Sequence, residues 1–505
     1  MFTWLINKGK ELLYKMGLIS GIKKVTDNRK ITIDEESYKQ IDIWKAIYSG
    51  HFSEWHDLKY QTVEGQKQRR MASLNMAKVV TQEMSSLIFN EKCSINISDE
   101  ALFDNIKNVL DDNNFNREFQ RHLEYMLSLG GMVIKAYYDG DIKLSFVTAD
   151  CFVPVSWDNN KVTEGVFINE STKAGKYYTL LEWHLIERGE EGQKQHIIKN
   201  ELYVSRNKGE LGVRTGLKEL YEDLEDEVRI NDLSRPTFIY FKPNTANNLD
   251  LYSPLGISLY GNSLDVLKSL DIAFDSFQRE FVLGKKRIIV PASAIKHVVD
   301  PISGMPHRYF DSSDEVYEAM KIEGDQRIQD ISVELRVEEH TAAINALLNY
   351  LSMQTGFSTG AFSFDGQGVK TATEVVSENS KTFKTKQSHE TILEDCLRDL
   401  VDVIVDIAAL YDVFKTTEDY EVTVTFDDSI AEDQTAEINK QILLVTSGLT
   451  SKIKALMKIH GISEEEAKKL LKQIIDENRM AMPENVDFFN LEGNPKQEQT
   501  NNGGE

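Results

Sequence analysis

The sequence predicts an α+β protein whose strands pair antiparallel. Apolar residues recur at helical intervals in two stretches of the first 130 residues. The period then shortens to two, punctuated by turn residues, from Met132 to about Asn244, and it becomes helical again from Leu264 onward. Strands and helices are grouped rather than alternating, so the β region reads as antiparallel sheet and not as βαβ units.

The N-terminal "MFTWLINKGKELLYKMGLIS" places Phe2, Leu5, Ile6, Leu12, Leu13 and Met16 at helical spacing, an amphipathic segment suited to docking on a partner or on the chain's own body. Lys8, Lys10 and Glu11 interrupt it too often for a secretory leader. In "EGQKQRRMASLNMAKVVTQEMSSLIFNE", Met71, Leu74, Met76, Val79, Val80, Met84, Leu87 and Ile88 predict one helix. A second runs from Asn116 to Leu129 and stops at Gly130-Gly131. "MVIKAYYDGDIKLSFV" predicts a hairpin turning at Asp139-Gly140, and the following segments continue in β-rich style. "LKELYEDLEDEVR" crowds six acidic residues together without the spacing of an oxygen-ligand loop, so it reads as a solvated face.

Leu264, Leu267, Leu270, Ile272, Phe274 and Phe277 predict the next helix, which ends at Gly284. "RIIVPASAIKHVVDPISGMPHRYF" has three prolines and reads as a small irregular module before a further helix, "VEEHTAAINALLNYLSMQTG". Next comes "STGAFSFDGQGVKTATE". It lacks the second glycine of a phosphate-binding loop, since Val369 stands there, and Thr371 and Glu374 have capping-box spacing for a new helix. That helix, expected from Ala372 to about Asp412, would be about 60 Å long at ~1.5 Å per residue. Its first half is polar, with Phe383 alone between Ser377 and Thr391, and is expected to face water, a partner or a channel; its second half is densely apolar and reads as core. A strand alternating Val422, Val424 and Phe426, three short helices between Thr435 and about Asn478, and a polar tail complete the chain.

A hydrophobic content of 41% suits a folded protein, and Cys93, Cys151 and Cys396 lie too far apart for a CxxC site. No apolar run approaches the ~20 residues of a membrane span. The formal charge of −23 disfavours tight binding of nucleic-acid phosphates and keeps a large assembly soluble. No defensible catalytic constellation emerges. His51 and His56 are the closest histidine pair, with a weak metal claim, and Asp427, Asp428, Glu432 and Asp433 cluster at the end of a strand, where charge runs are usually solvated. A cation-dependent nuclease built on those carboxylates is one alternative, and a scaffold or adaptor without a pore is another.

From Ser253 to Ala408, the order "SPLGISLYGNSLDVLKSLDIAFDSFQRE", "GKKRIIVP", "TGFSTGAFSFDGQGVKTATEV" and a long helix resembles the portal proteins of tailed bacteriophages, in the branch typical of phages and prophages of Gram-positive bacteria. The resemblance implies a virion protein assembled in the host cytoplasm into a ring, usually dodecameric, at one capsid vertex. Double-stranded DNA passes through it during packaging and ejection without sequence recognition.

It further implies a wing over 1–258, stem helices over 259–284 and 337–356, a clip over 285–336, a tunnel loop over 357–370, a long wing helix and strand over 371–431, a crown over 432–490 and a disordered tail. The tunnel loop would present Phe357, Ser358, Thr359, Gly360, Phe362, Phe364, Gly366, Gly368 and Lys370. Candidate DNA-facing cations are Lys285, Lys286, Lys370, Lys381 and Lys384, with Lys386 turned elsewhere. Pro301, Met305, Pro306 and His307 would dock partners at the clip. The implied partners are further copies of the chain, the large terminase subunit, which hydrolyses ATP, the head-completion adaptor, and the major capsid and scaffolding proteins, whose assembly a portal nucleates. Neither enzymatic activity, nor a cofactor, nor a membrane is expected.

Overall fold

The computed structural model describes residues 35–62, 65–159, 161–188, 194–231, 233, 235–284, 288–289, 296–299, 306–309, 329–330, 334–364, 380–417, 419–427, 434–460, 462 and 464–481. The amphipathic N-terminal segment and the polar tail lie outside them. The chain forms two units, one of residues 1–370 and 377–428, the other of 371–376 and 429–505.

In the first unit, helix α1 (Glu35–Tyr48) buries Tyr38, Ile41, Trp44 and Ile47. A single turn, α2 (Ser53–His56), leads into a hairpin of β1 (Asp57–Thr62) and β2 (Gly65–Arg70), paired from Asp57↔Arg70 to Thr62↔Gly65. This corrects the expected helix in that region, because α3 spans only Met76–Ile88. The cause is tertiary: the N–H groups of Ala72 and Leu74 donate to the carboxylates of Asp275 (3.0 Å) and Asp271 (2.8 Å), so 71–74 runs as an extended strap.

Strand β3 (Ser94–Ile97) and helix α4 (Glu100–Asp112) follow, the helix capped by Asp99, whose carboxylate accepts from Leu102 N–H. Helix α5 (Phe115–Leu129) begins one residue before the expected Asn116 and ends on Gly130 at φ +81°. A Cβ there would lie 2.7 Å from the Gly256 carbonyl oxygen, so this close approach needs glycine.

The β region is antiparallel throughout, as the grouping of its strands predicts. β4 (Met132–Asp139) and β5 (Asp141–Thr148) turn through Gly140 as expected, and β12 (Phe238–Phe241) adds to β4. Between them lie β6 (Phe152–Asp158), β7 (Lys161–Lys173), β8 (Lys176–Arg188), β9 (Lys194–Ser205), β10 (Val213–Thr215) and β11 (Glu227–Asn231). They form a second sheet in the order β10-β9-β8-β7-β6, with β11 also on β9. The acidic stretch before β11 is exposed at Glu222, Asp223, Glu225 and Asp226, the solvated face expected.

Aromatic rings join helix and sheets. Phe119 meets Phe241 at 5.7 Å, and Phe238 meets Phe152 at 5.4 Å and Phe167 at 5.6 Å, edge-on pairs that add about 0.5–1.5 kcal/mol each beyond their burial. His184 packs against Phe238 and lies 5.2 Å from His196, whose ring nitrogens have no hydrogen-bond partner among the described residues.

Burial pushes the His196 imidazole down to about 3, and burial likewise lowers His389 to about 4. Both values lie below the unfolded value near 6.5, so the stability of keeping these rings neutral is complete above pH ~6.5 and is lost as pH falls towards them. Urea midpoints are expected to drop between pH 6.5 and 4, and His196→Phe should flatten that drop; an unchanged slope would contradict it.

After β12, turns at Ser258 and Tyr260 precede α6 (Leu264–Leu283), which therefore starts later than the expected 259. Short strands β13 (Ile288–Ile289), β14 (Lys296–Val299), β15 (Pro306–Tyr309) and β16 (Gln329–Asp330) pair as β13–β16 and β14–β15. Then come α7 (Val337–Gln354), α8 (Ser380–Leu410) and β17 (Val422–Thr425), which pairs with β3. On α8, Leu393, Leu397, Leu400, Val401, Ile404 and Ile407 are buried, as the apolar half predicts.

The second unit contains α9 (Gln434–Thr446), α10 (Lys452–His460) and α11 (Glu464–Ala481), the three helices expected. Ala455 and Ala467 are buried within it.

Candidate functional site

The region that the sequence singles out is where α7 turns back toward α8. Helix α7 ends on Gly356, at φ +84°, and the N–H of Phe357 returns to Ser352 O at 2.8 Å, the long bond of a Schellman stop. Phe357 is 3% exposed. Ser358 N–H donates to Thr382 Oγ1 (2.8 Å) and Thr382 N–H to Ser358 Oγ (3.3 Å), a reciprocal clasp onto the first turn of α8.

The chain then doubles back along α7. Gly360 N–H donates to Asn349 Oδ1 (2.9 Å) and Phe364 N–H to Asn345 Oδ1 (2.8 Å), two asparagines four residues apart and hence on one face of the helix. Phe362 packs on Phe357 at 5.0 Å, and Phe364 sits edge-on to Phe277 at 5.4 Å, joining α6 to α7. The expectation of a loop open from Phe357 is thus corrected. Phe357 to Phe364 is pinned by backbone and aromatic contacts, with Thr359 and Gly360 exposed at its turn. Gly366, Gly368, Lys370 and the capping pair Thr371 and Glu374 lie outside the described residues.

On α8, Lys381 and Lys384 are exposed and share a face at i, i+3. The Lys381 ammonium donates to Met353 O at 2.6 Å, in the last turn of α7, where a cation complements the free carbonyls. Lys386 does turn elsewhere: it is 2% exposed, pairs with Glu390 at 2.7 Å and donates to Asp427 O at 2.8 Å. His389, also buried, accepts from Asn244 N–H at 3.0 Å. One edge of the polar half-helix is therefore interior, which corrects the expectation that all of it faces outward. Hydrogen bonds to fixed partners make that burial tolerable.

The helix pair is registered at its far end by Arg336, which holds Glu280 through two nitrogens (3.1 and 2.9 Å) and lowers its carboxyl to about 2. Beyond that end, Pro306 opens β15, a strand-start position that tolerates a missing N–H, and His307 pairs with Val298. The expected irregular module thus contains a regular hairpin. Lys285, Lys286, Pro301 and Met305 lie outside the described residues.

Of the other candidates, His51, His56 and Asp427 make structural contacts. His51 contacts Asp57, and His56 contacts Asp271, each at 3.1 Å, with the two rings stacked at 5.8 Å. Asp427 accepts from Asn90 Nδ2 (3.1 Å) and approaches Lys92 (3.3 Å); Asp428, Glu432 and Asp433 lie outside the described residues. No grouping of three metal-ligating side chains occurs among the described residues. No helix among them is long and apolar enough to cross a membrane.

A search of curated proteins finds no match. A family model does match: that of the phage portal proteins, SPP1 Gp6-like, over residues 27–480 of 505. That family is structural rather than catalytic, and its members are capsid components that form oligomers. The match spans the helix pair, the β segment between its members, the pinned loop and the long helix, so the chain belongs to the SPP1 Gp6-like phage portal proteins.

Proposed function

We propose that copies of this chain form a ring at one capsid vertex, through which double-stranded DNA enters during packaging and leaves at ejection. The observation that carries this reading is the family match over nearly the whole chain. In it, α6 and α7 are the stem, 285–336 is the clip that meets the terminase and later the adaptor, and 432–490 is the crown. Because Phe357–Phe364 is pinned, the part of the loop that reaches the bore is 365–370. Lys370, Lys285 and Lys286, with Lys381 and Lys384 on α8, are the cations that register the DNA backbone. The net charge of −23 keeps that contact weak, since each phosphate gripped adds affinity that opposes sliding.

Two measurements test it. Negative-stain images of the isolated protein should show rings with a central hole; a monomer that cleaves DNA with magnesium would replace the portal reading with a nuclease. Deleting Asp365–Lys370 should leave rings intact and lower packaged or retained DNA at least tenfold. Loss of rings would instead place the loop in a subunit contact. A deletion begun at Gly360 would not discriminate, because it also removes Phe362 and Phe364 from their packing.

A further inference from the structure

Helix α7 is apolar on two sides. Ile344, Leu348 and Leu351 are buried in its own unit, yet Tyr350 is 60% and Met353 51% exposed. With Glu339, Ala343 and Ala346, also exposed, they form a stripe at alternating spacings of four and three, the period of a helix-packing seam. A second apolar face left exposed on a helix marks a surface that a partner covers.

A matching receptor lies on α6. There a groove of about 370 Å³ is walled by Ile272, Ser276 and Leu283 on one side and by Leu58 and Met71, at the base of the β1–β2 hairpin, on the other. Arg69, Arg279, Asp275 and Glu280 line it; Arg69 is fixed by paired bonds of 2.7 Å to Asp275, and Glu280 is held by Arg336. We infer that this groove receives the outward stripe of α7 from a second copy of the chain, an inference that rests on the ring reading above.

Height and charge both favour that occupant. The Arg336–Glu280 pair and the Phe277–His340 ring contact at 5.9 Å set the first turn of α7 level with the last turn of α6. Rotation about an axis along the helix pair preserves that level. The exposed Glu338 and Glu339 of the neighbouring copy therefore arrive beside Arg279, and its Ala346 arrives opposite Ile272, a small residue against a large one. The two faces differ, so the contact is head-to-tail and leaves an unfilled groove on every assembly until the ring closes. Arg279 also gives chains of charge −23 a local attraction that their overall charge does not.

The test pairs charge reversal with cross-linking. In analytical ultracentrifugation, Arg279→Glu and the double change Glu338→Lys/Glu339→Lys should each shift the protein to smaller species, and combining them should restore the wild-type size. In a second variant, Ile272→Cys/Ala346→Cys, the two positions turn about 140° and about 120° away from the α6–α7 contact on their own helices at ~100° per residue, so a bond within one chain is excluded. Oxidation should give a covalent ladder beyond the dimer on denaturing gels. A wild-type oligomer that yields no ladder, stops at a dimer, or is unmoved by either reversal would overturn the inference and assign the face to another protein or to the bore. A monomeric wild type would instead overturn the ring reading itself.

Discussion

Replacing Lys386 with methionine is expected to cost about 3–5 kcal/mol, because it leaves the Glu390 carboxylate buried without its cation. The Asp427 carbonyl loses its donor at the same time, and that carbonyl lies one residue before the end of the first unit. Lys386→Met/Glu390→Leu should recover most of the loss, since two apolar groups of similar volume can replace a buried pair. Urea unfolding of the single and double variants decides the matter; a single-variant effect below about 1 kcal/mol would show that the pair is solvated after all.

Phe357→Ala should destabilise by about 3–5 kcal/mol, the cost of deleting a buried aromatic ring. A loop side chain facing an open bore would change stability by about 0.5 kcal/mol or less. The same measurement on Phe362, whose ring lies tilted against Phe357, should give a smaller loss, because that ring is only half-buried. A near-zero result at Phe357 would show that 357–364 is not held down and would return it to the tunnel loop that the resemblance implies.

The elements legible in the sequence are those whose pattern is local. Leu123, Met126 and Leu127 announce α5, and Asp139-Gly140 announces the β4–β5 turn, because each signal lies within the element it specifies. Helix α1 carries a local signal too, since Tyr38, Ile41, Trp44 and Ile47 recur at threes, although no helix was expected there. The β1–β2 hairpin carries none: "GQKQRR" has no period, and the strap after it is held by Asp271 and Asp275, some 200 residues away.

The candidate site divides in the same way. Glycine content and the capping pair mark where a loop lies, but nothing local reveals that Asn345 and Asn349 hold half of it down. Nor does anything beside Lys386 distinguish it from Lys381 and Lys384, since its partner carbonyl at Asp427 comes 41 residues later. A buried charge is set by what packs over it, and that is a property of the fold.

The pairing of β3 with β17 has a bearing on how the protein is made. Ser98 accepts the Glu421 N–H across 323 positions, so the strand near the N-terminus has no mate until almost all of the first unit has been translated. At about 5–20 residues per second, that strand waits roughly 15–65 s after leaving the ribosome, while the hairpins of residues 132–231 can close within themselves. The last seam to form would be the one that ties the ends of the first unit together, and a nascent chain stalled before Val422 would carry an open strand edge inviting the wrong neighbour.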